Sequence, residues 1–205
     1  DHAIVHVEQL LSQKYTDELA KSISIKTATA IEPLSDNTTE PQESTETTHL
    51  SVIDKFGNAV AMTFTLNGKL GSGVATENFG IMLNNEMDDF TTVLGEPNMF
   101  GLIQGQKNSV APGKRPLSSM SPALVEKNGK IVLAVGAPGG PRIISSVVQI
   151  LYRVLGRNMN IETAVEAPRV HHQVLPNKLF VDENRFSPEI LDGLRARKHI
   201  VEESW

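Results

Sequence analysis

Residues 59–67 alternate between two kinds of side chain. Ala59, Ala61, Thr63, Thr65 and Asn67 are small or polar, and Val60, Met62, Phe64 and Leu66 between them are apolar. A period of two is that of a strand, and the apolar set predicts its buried face. Residues 48–54 read as a second strand, with Lys55-Phe56-Gly57 between Asp54 and Asn58. A three-residue loop ending in glycine is a common hairpin connection, because glycine takes up left-handed backbone without a Cβ penalty. Pairing Asp54 with Asn58 and counting back sets Thr47 opposite Thr65. Opposed residues share a face, with Cβ atoms about 4.5–5.5 Å apart. Asn67 follows on that face, so three polar groups meet at one end of the hairpin. A four-residue loop would shift this register and separate them.

A second hairpin is predicted over residues 123–127 and 130–135, around the Asn128-Gly129 turn. It leads into Pro138-Gly139-Gly140-Pro141 and an apolar helix over residues 141–155, with proline at its first position and Gly156 at its end. Ile143, Ile144, Val147, Val148, Ile150, Leu151, Val154 and Leu155 predict burial on most sides of that helix. Further helices are expected over residues 3–23 (one or two), from the N-cap Asn160 to before Pro168, and from Ser187-Pro188 to about residue 198. Short strands are expected at residues 79–83 and 179–182, and no element is predicted between the last helix and Trp205. Residues 26–46 are rich in Thr, Ser, Asn, Glu and Pro and read as a linker. Residues 91–111 form a loop longer than the roughly 12–15 residues usual in compact domains, a length typical of lids and binding loops.

Composition changes this picture little. The chain has 205 residues, 40% hydrophobic and 21% charged, which is ordinary globular usage. A net charge of −5 provides no electrostatic reason to expect nucleic acid or an anionic membrane. The absence of cysteine excludes disulfides, thiolate metal sites and a cysteine nucleophile. No apolar run approaches the ~20 residues of a membrane span. His2 and His6 lie one helical turn apart, but no third ligand is near, so a solvated helix face is the expectation and no metal or cofactor is assigned. Asn37-Thr38-Thr39 fits a glycosylation acceptor pattern. His171-His172 read as structural or surface residues, facing opposite ways on a strand.

The candidate chemistry begins at Thr47. A threonine serves as nucleophile and base together only when its own α-amine is free, since that amine titrates near 7.7–8.0 and can accept the hydroxyl proton. Thr47 is internal, so this chemistry requires a cut after Glu46. The plainer reading is that two threonines open a strand. Asn84-Asn85-Glu86-Met87-Asp88-Asp89-Phe90 reads either as a capped, hydrated turn or as a carboxylate site for an ammonium group. Gly139 and Gly140 offer N–H groups at a helix start, which favours negative charge, or form an ordinary strand-to-helix turn.

In this order and spacing, the motifs resemble the small-subunit region of γ-glutamyltranspeptidase, an N-terminal-nucleophile hydrolase. They are Thr47-Thr48-His49, Gly57-Asn58-Ala59-Val60 after Asp54, Thr65-Leu66-Asn67, the residue 83–90 cluster, Lys114-Arg115-Pro116-Leu117-Ser118-Ser119-Met120-Ser121-Pro122, Pro138-Gly139-Gly140 and Ala167-Pro168-Arg169. The resemblance covers residues 47–205, and residues 1–46 resemble the tail of the large subunit, a partner from the same precursor. It implies an α+β fold, the αββα sandwich of N-terminal-nucleophile hydrolases, present here in part. It implies Thr47 as the nucleophile in acyl transfer and in autocatalytic cleavage of the Glu46–Thr47 bond, with Thr65 orienting its hydroxyl. Asn67, Glu86 and Asp89 would hold the substrate α-amino group, Ser118 and Ser119 its α-carboxylate, and Gly139 and Gly140 the oxyanion. The implied donors are glutathione and related γ-glutamyl amides, the acceptors water, amino acids or peptides, and the implied location is outside the cytoplasm. The chain departs from the family in four ways. It lacks the large-subunit arginine and ends before the family's final strands. Phe100 stands where many members carry a lid tyrosine that reaches the asparagine matching Asn67. Pro141 replaces a usual serine. Two alternatives stay open: another acylase of the superfamily, acting on β-lactam side chains or poly-γ-glutamate, and an unprocessed, inactive fragment.

Overall fold

The structure, a computed structural model, describes residues 4–31 and 47–204. Glu46, His2, the Asn37 tripeptide and most of the expected linker lie outside the described residues. The chain opens with two short helices, α1 (Val7–Leu10) and α2 (Gln13–Ser22). The Ser12 hydroxyl caps α2 by accepting from the Tyr15 N–H.

Strands β1 (Thr48–Ile53) and β2 (Ala59–Phe64) form the first hairpin. Its register pairs Thr48 with Phe64 and Ile53 with Ala59, as counted from the Asp54–Asn58 closure. The Asp54 N–H donates to the Asn58 carbonyl at 2.9 Å, Gly57 takes φ 88°, and the Asp54 carboxylate accepts from the Phe56 and Asn58 N–H groups. The second hairpin, β3 (Ala123–Lys127) and β4 (Lys130–Val135), turns at Asn128 and Gly129, both with positive φ, and bulges between Val125 and Glu126. Helix α3 (Arg142–Leu151) follows, and its axis widens into a π turn over Tyr152–Gly156. Val135, Ala137, Ile143, Val147 and Ile150 pack together with Ala123 and Leu133, seating α3 on one face of the second hairpin. The first hairpin lies against β3 and β4. Among the described residues the stack therefore runs helix, sheet, sheet.

The expected inward face of the first hairpin is corrected. Its apolar positions Leu50, Val52, Val60, Met62 and Phe64 are 39–64% exposed, while Ala59, Ala61 and Thr63 turn inward. The second hairpin comes so close that the His49 ring lies on the bare backbone of Gly136, where only small neighbours fit. Helix α3 is likewise not buried on most sides, because Ile144 and Val148 stay about half exposed. Residues 79–83 do not form the expected strand. Gly80 takes φ 63°, which breaks the extended run, and a single bridge joins Ala75 to Met82.

The C-terminal part carries α4 (Ile161–Glu166), capped by Asn160, whose side chain accepts from the Thr163 N–H at 3.0 Å. It also carries β5 (Val170–His171), β6 (Leu179–Val181), α5 (Pro188–Ala196) and β7 (Val201–Glu203). Strand β7 is absent from the sequence reading. It forms because β6 offers a parallel edge, pairing Leu179 with Val201. Leu179, Val181 and Leu191 form a second small core beneath α5. Gln149 clamps β5 to α3 by exchanging hydrogen bonds with Val170 of 2.8 and 3.1 Å.

Candidate active site

Thr47 precedes β1 and Thr65 follows β2, and the register brings their hydroxyls to 3.0 Å. Thr47 is 7% exposed. The Thr65 oxygen also accepts from the Asn67 N–H at 2.9 Å, so one hydroxyl ties the end of the hairpin to the turn beyond it. Asn67 is buried with φ 72°, a conformation asparagine tolerates better than most residues. Its amide donates to the Asn85 carbonyl. Asn85 in turn accepts the Gly68 N–H at 2.7 Å, pinning the acidic cluster to the hairpin.

Glu86 and Asp89 stand at the two ends of a single 3₁₀ turn, Glu86–Asp89. Burial, then a hydrogen bond to Glu86, then the charges of Glu86 and Asp88 push the Asp89 carboxyl up to about 7. Asp89 thus holds a proton up to near neutrality, and a cation placed beside it and Glu86 would favour its release. The Asp89 carbonyl accepts from Asn108 at 2.7 Å, and the Asn108 oxygen accepts the Leu117 N–H at 2.9 Å. Through Asn108 the acidic turn is fixed against the serine segment.

Ser118 and Ser119 lie in the extended stretch before β3 and face the same cleft. Gly139 and Gly140 take φ 120° and 54°, backbone that favours glycine, and their carbonyls accept the first bonds of α3. Among the described residues neither glycine N–H donates to a backbone carbonyl. Gly140 lines the cleft, and Gly139 is not among the residues that line it. The cleft therefore gathers Thr47, Thr65, Asn67, Glu86, Asp89, Ser118, Ser119 and Gly140, together with Phe100. Its free volume is about 20 Å³, enough for about one water.

Phe100 packs on Gly140 rather than reaching Asn67, and the lid side chain at Asn67 is that of Met99, with Sδ 3.8 Å from the amide nitrogen. Asn85, Asn108 and Met99 are positioning residues that the sequence reading left unassigned. The asparagine-rich run at 84–85 carried the signal for the first, and nothing local marked the others. His171, at the end of β5, is buried, and His172, just past that strand, is exposed. Among the described residues no group of three or more acidic or histidine side chains is placed to hold a metal ion. No helix among them is long and apolar enough to cross a membrane.

Residues 1–205 match the family model described as Gamma-glutamyltranspeptidase. The chain is 45% identical over 197 residues to the glutathione hydrolase proenzyme of Escherichia coli (strain K12), covering 96% of this chain and 34% of that protein. It thus spans about a third of the length of such curated relatives. The crystal structure of a mutant Helicobacter pylori γ-glutamyltranspeptidase matches with a TM-score of 0.74 and 45% identity, covering 77% of this chain and 84% of that one. The Bacillus anthracis transpeptidase CapD matches with a TM-score of 0.56 and 25% identity, covering 77% and 78%. The chain belongs to the γ-glutamyltranspeptidase family, and its α+β fold is that of the N-terminal-nucleophile hydrolases.

Proposed function

We propose that this chain carries the nucleophile half of a γ-glutamyl acyltransferase, acting on glutathione and related γ-glutamyl amides. The observation that carries this reading is the meeting of the paired Thr47 and Thr65 hydroxyls with the Glu86 and Asp89 carboxyls in one cleft lined by Gly140. The protein first cuts itself. The Thr47 hydroxyl attacks the Glu46 carbonyl carbon, the peptide C–N bond breaks to leave an ester, and water hydrolyses the ester. That step frees the Thr47 α-amine, the base the hydroxyl needs. The amine then takes the hydroxyl proton as the oxygen attacks the donor's γ-carbonyl. The Gly139 and Gly140 N–H groups receive the developing oxyanion, and the proton passes to the leaving amine. Water or an acceptor amine then attacks the γ-glutamyl-threonine ester and releases Thr47.

Selection of a glutamyl head follows from opposite charges read at fixed spacing. The ammonium sits between Glu86 and Asp89 with Asn67, and the carboxylate sits at Ser118 and Ser119. The acidic pair disfavours acyl chains that end in a bare carboxylate, which argues against the β-lactam side-chain alternative. Residues 1–46 belong on this reading to the larger subunit, residues 47–205 to the smaller. The exposed apolar face of the first hairpin, Val60, Met62 and Phe64 included, is the surface the larger subunit's layer would cover. The setting is outside the cytoplasm. The test uses the full-length protein: intact mass for a new N-terminus at Thr47, then release of nitroaniline from γ-glutamyl-p-nitroanilide, with Thr47→Ala as control. An uncut chain, or an anilide rate unchanged in Thr47→Ala, refutes the proposal.

A further inference from the structure

We infer that Gln173 is the latch that holds the lid over the acyl site, a positioning residue for the reaction proposed above, on which this role rests. The lid tip is cross-linked within itself. The Asn98 side chain accepts from the N–H groups of Phe100 and Leu102, both at 3.0 Å, the Asn98 N–H donates to the Leu102 carbonyl, and Pro97 bridges to Ile103. At that tip Phe100 is 4% exposed and its ring lies against Gly140, so a Cβ on Gly140 would sit 3.1 Å from the ring. With Phe100 there, the cleft has room for about one water, and a γ-glutamyl group enters only if the tip lifts.

Two hydrogen bonds tether the tip to the rest of the fold. The Met99 N–H donates to the Asp88 carboxylate at 3.0 Å. The Phe100 carbonyl accepts from the Gln173 amide at 2.8 Å. Phe100 has no hydroxyl, so this second tether runs through its backbone and does not depend on the lid side chain.

The Gln173 amide has only one workable orientation. Its second N–H donates to the Leu175 carbonyl at 3.0 Å, so both donors face carbonyl oxygens. A flipped amide would set oxygen against oxygen twice. The Gln173 oxygen must therefore accept, and its partner is His171 Nε2 at 2.9 Å. His171 is buried, which favours the neutral ring, so Nε2 carries the proton and Nδ1 accepts from the Ser145 hydroxyl at 2.9 Å. Ser145 belongs to α3, the helix that starts two residues after Gly140. The chain of contacts from Phe100 through Gln173 and His171 to Ser145 thus gauges the lid against the helix at the acyl site. Residues 73 positions apart are joined by the Phe100–Gln173 bond, so no local pattern announces it.

The experiment compares Gln173→Met, which keeps length and volume, and Gln173→Glu, which keeps shape but sets carboxylate oxygens against both carbonyls, with the unaltered full-length protein. Amide exchange over residues 97–103 should rise about five- to tenfold in either variant, the worth of one such bond. Exchange in residues 170–181 should stay within twofold. Gln173→Met supplies the readout if Gln173→Glu does not fold. The ratio of hydrolysis to transfer of γ-glutamyl-p-nitroanilide should rise, because water reaches the acyl ester more often through a loosened lid. Unchanged exchange at 97–103, or an increase spread through 170–181, overturns the latch. The exchange readout requires no turnover, so an inactive unaltered protein would refute the proposed reaction and leave the latch to be decided by exchange alone.

Discussion

Replacing Gly136 with alanine puts a methyl group into the His49 ring. A Cβ at that position would stand 2.2 Å from both Cε1 and Nδ1 and 2.7 Å from Nε2. The ring cannot turn aside freely. Nδ1 is bonded to the Thr63 hydroxyl at 2.8 Å and Nε2 to the Ser51 hydroxyl at 2.9 Å, and swinging it out gives up both. Overpacking typically costs about 1–3 kcal/mol. Two hydrogen bonds add roughly 1 kcal/mol each. Gly136→Ala should therefore destabilise by about 3–5 kcal/mol, a fall in Tm of some 6–20 °C for a unit of this size. His49 lies two residues from Thr47 on the same strand face, so self-cleavage should fail in step. Thermal unfolding of the full-length protein, with the double variant His49→Ala/Gly136→Ala, isolates the contact. The second change removes the clash, so the double variant should lose at least about 2 kcal/mol less than the sum of the single variants. Strict additivity, or a Gly136→Ala protein as stable as the parent, would refute the close approach of the two hairpins.

Other outcomes follow from the site. Burial beside Glu86 pushes the Asp89 carboxyl up to about 7, and an ammonium binds the ionised carboxylate better than the protonated one, so KM for a γ-glutamyl donor should rise as pH falls below about 7, by up to tenfold per unit, and a flat profile from pH 5.5 to 8.5 contradicts the raised Asp89 pKa. Because the folded-state pKa lies above the unfolded value, the bound proton stabilises the fold at low pH, and that contribution is lost as pH rises through about 7. Asp89→Asn should therefore lose less Tm than the parent between pH 5 and 8. Thr65→Val leaves the Asn67 N–H and the Thr47 hydroxyl without their partner, at about 1–3 kcal/mol, and acylation should slow about 10–100-fold in stopped-flow turnover. Asn160→Ala removes the cap of α4, and denaturant unfolding should show a loss of about 1 kcal/mol with anilide turnover unchanged.

What the residues alone determined was local. Gly57 and the side chain of Asp54 close the first hairpin, and a period of two carries the register from that closure to Thr47 and Thr65. Asn128-Gly129 and the Asn160 cap were equally readable, because each involves atoms a few residues apart. The resemblance named the cleft residues, and the structure gathers all of them there except Gly139 and Glu46, the latter outside the described residues. Tertiary structure decided the rest. Alternation shows that β2 has two faces but not which one meets a neighbour, and the approach of β4 at Gly136 turned the small face inward. Strand β7 exists because β6 presents an edge, which three residues of weak pattern cannot declare. Asp89 titrates near 7 because folding buries it beside Glu86, and the lid closes through Gln173 because the chain returns to it from another sheet. Burial and long-range pairing depend on what lies across the fold, and neighbours along the chain do not encode it.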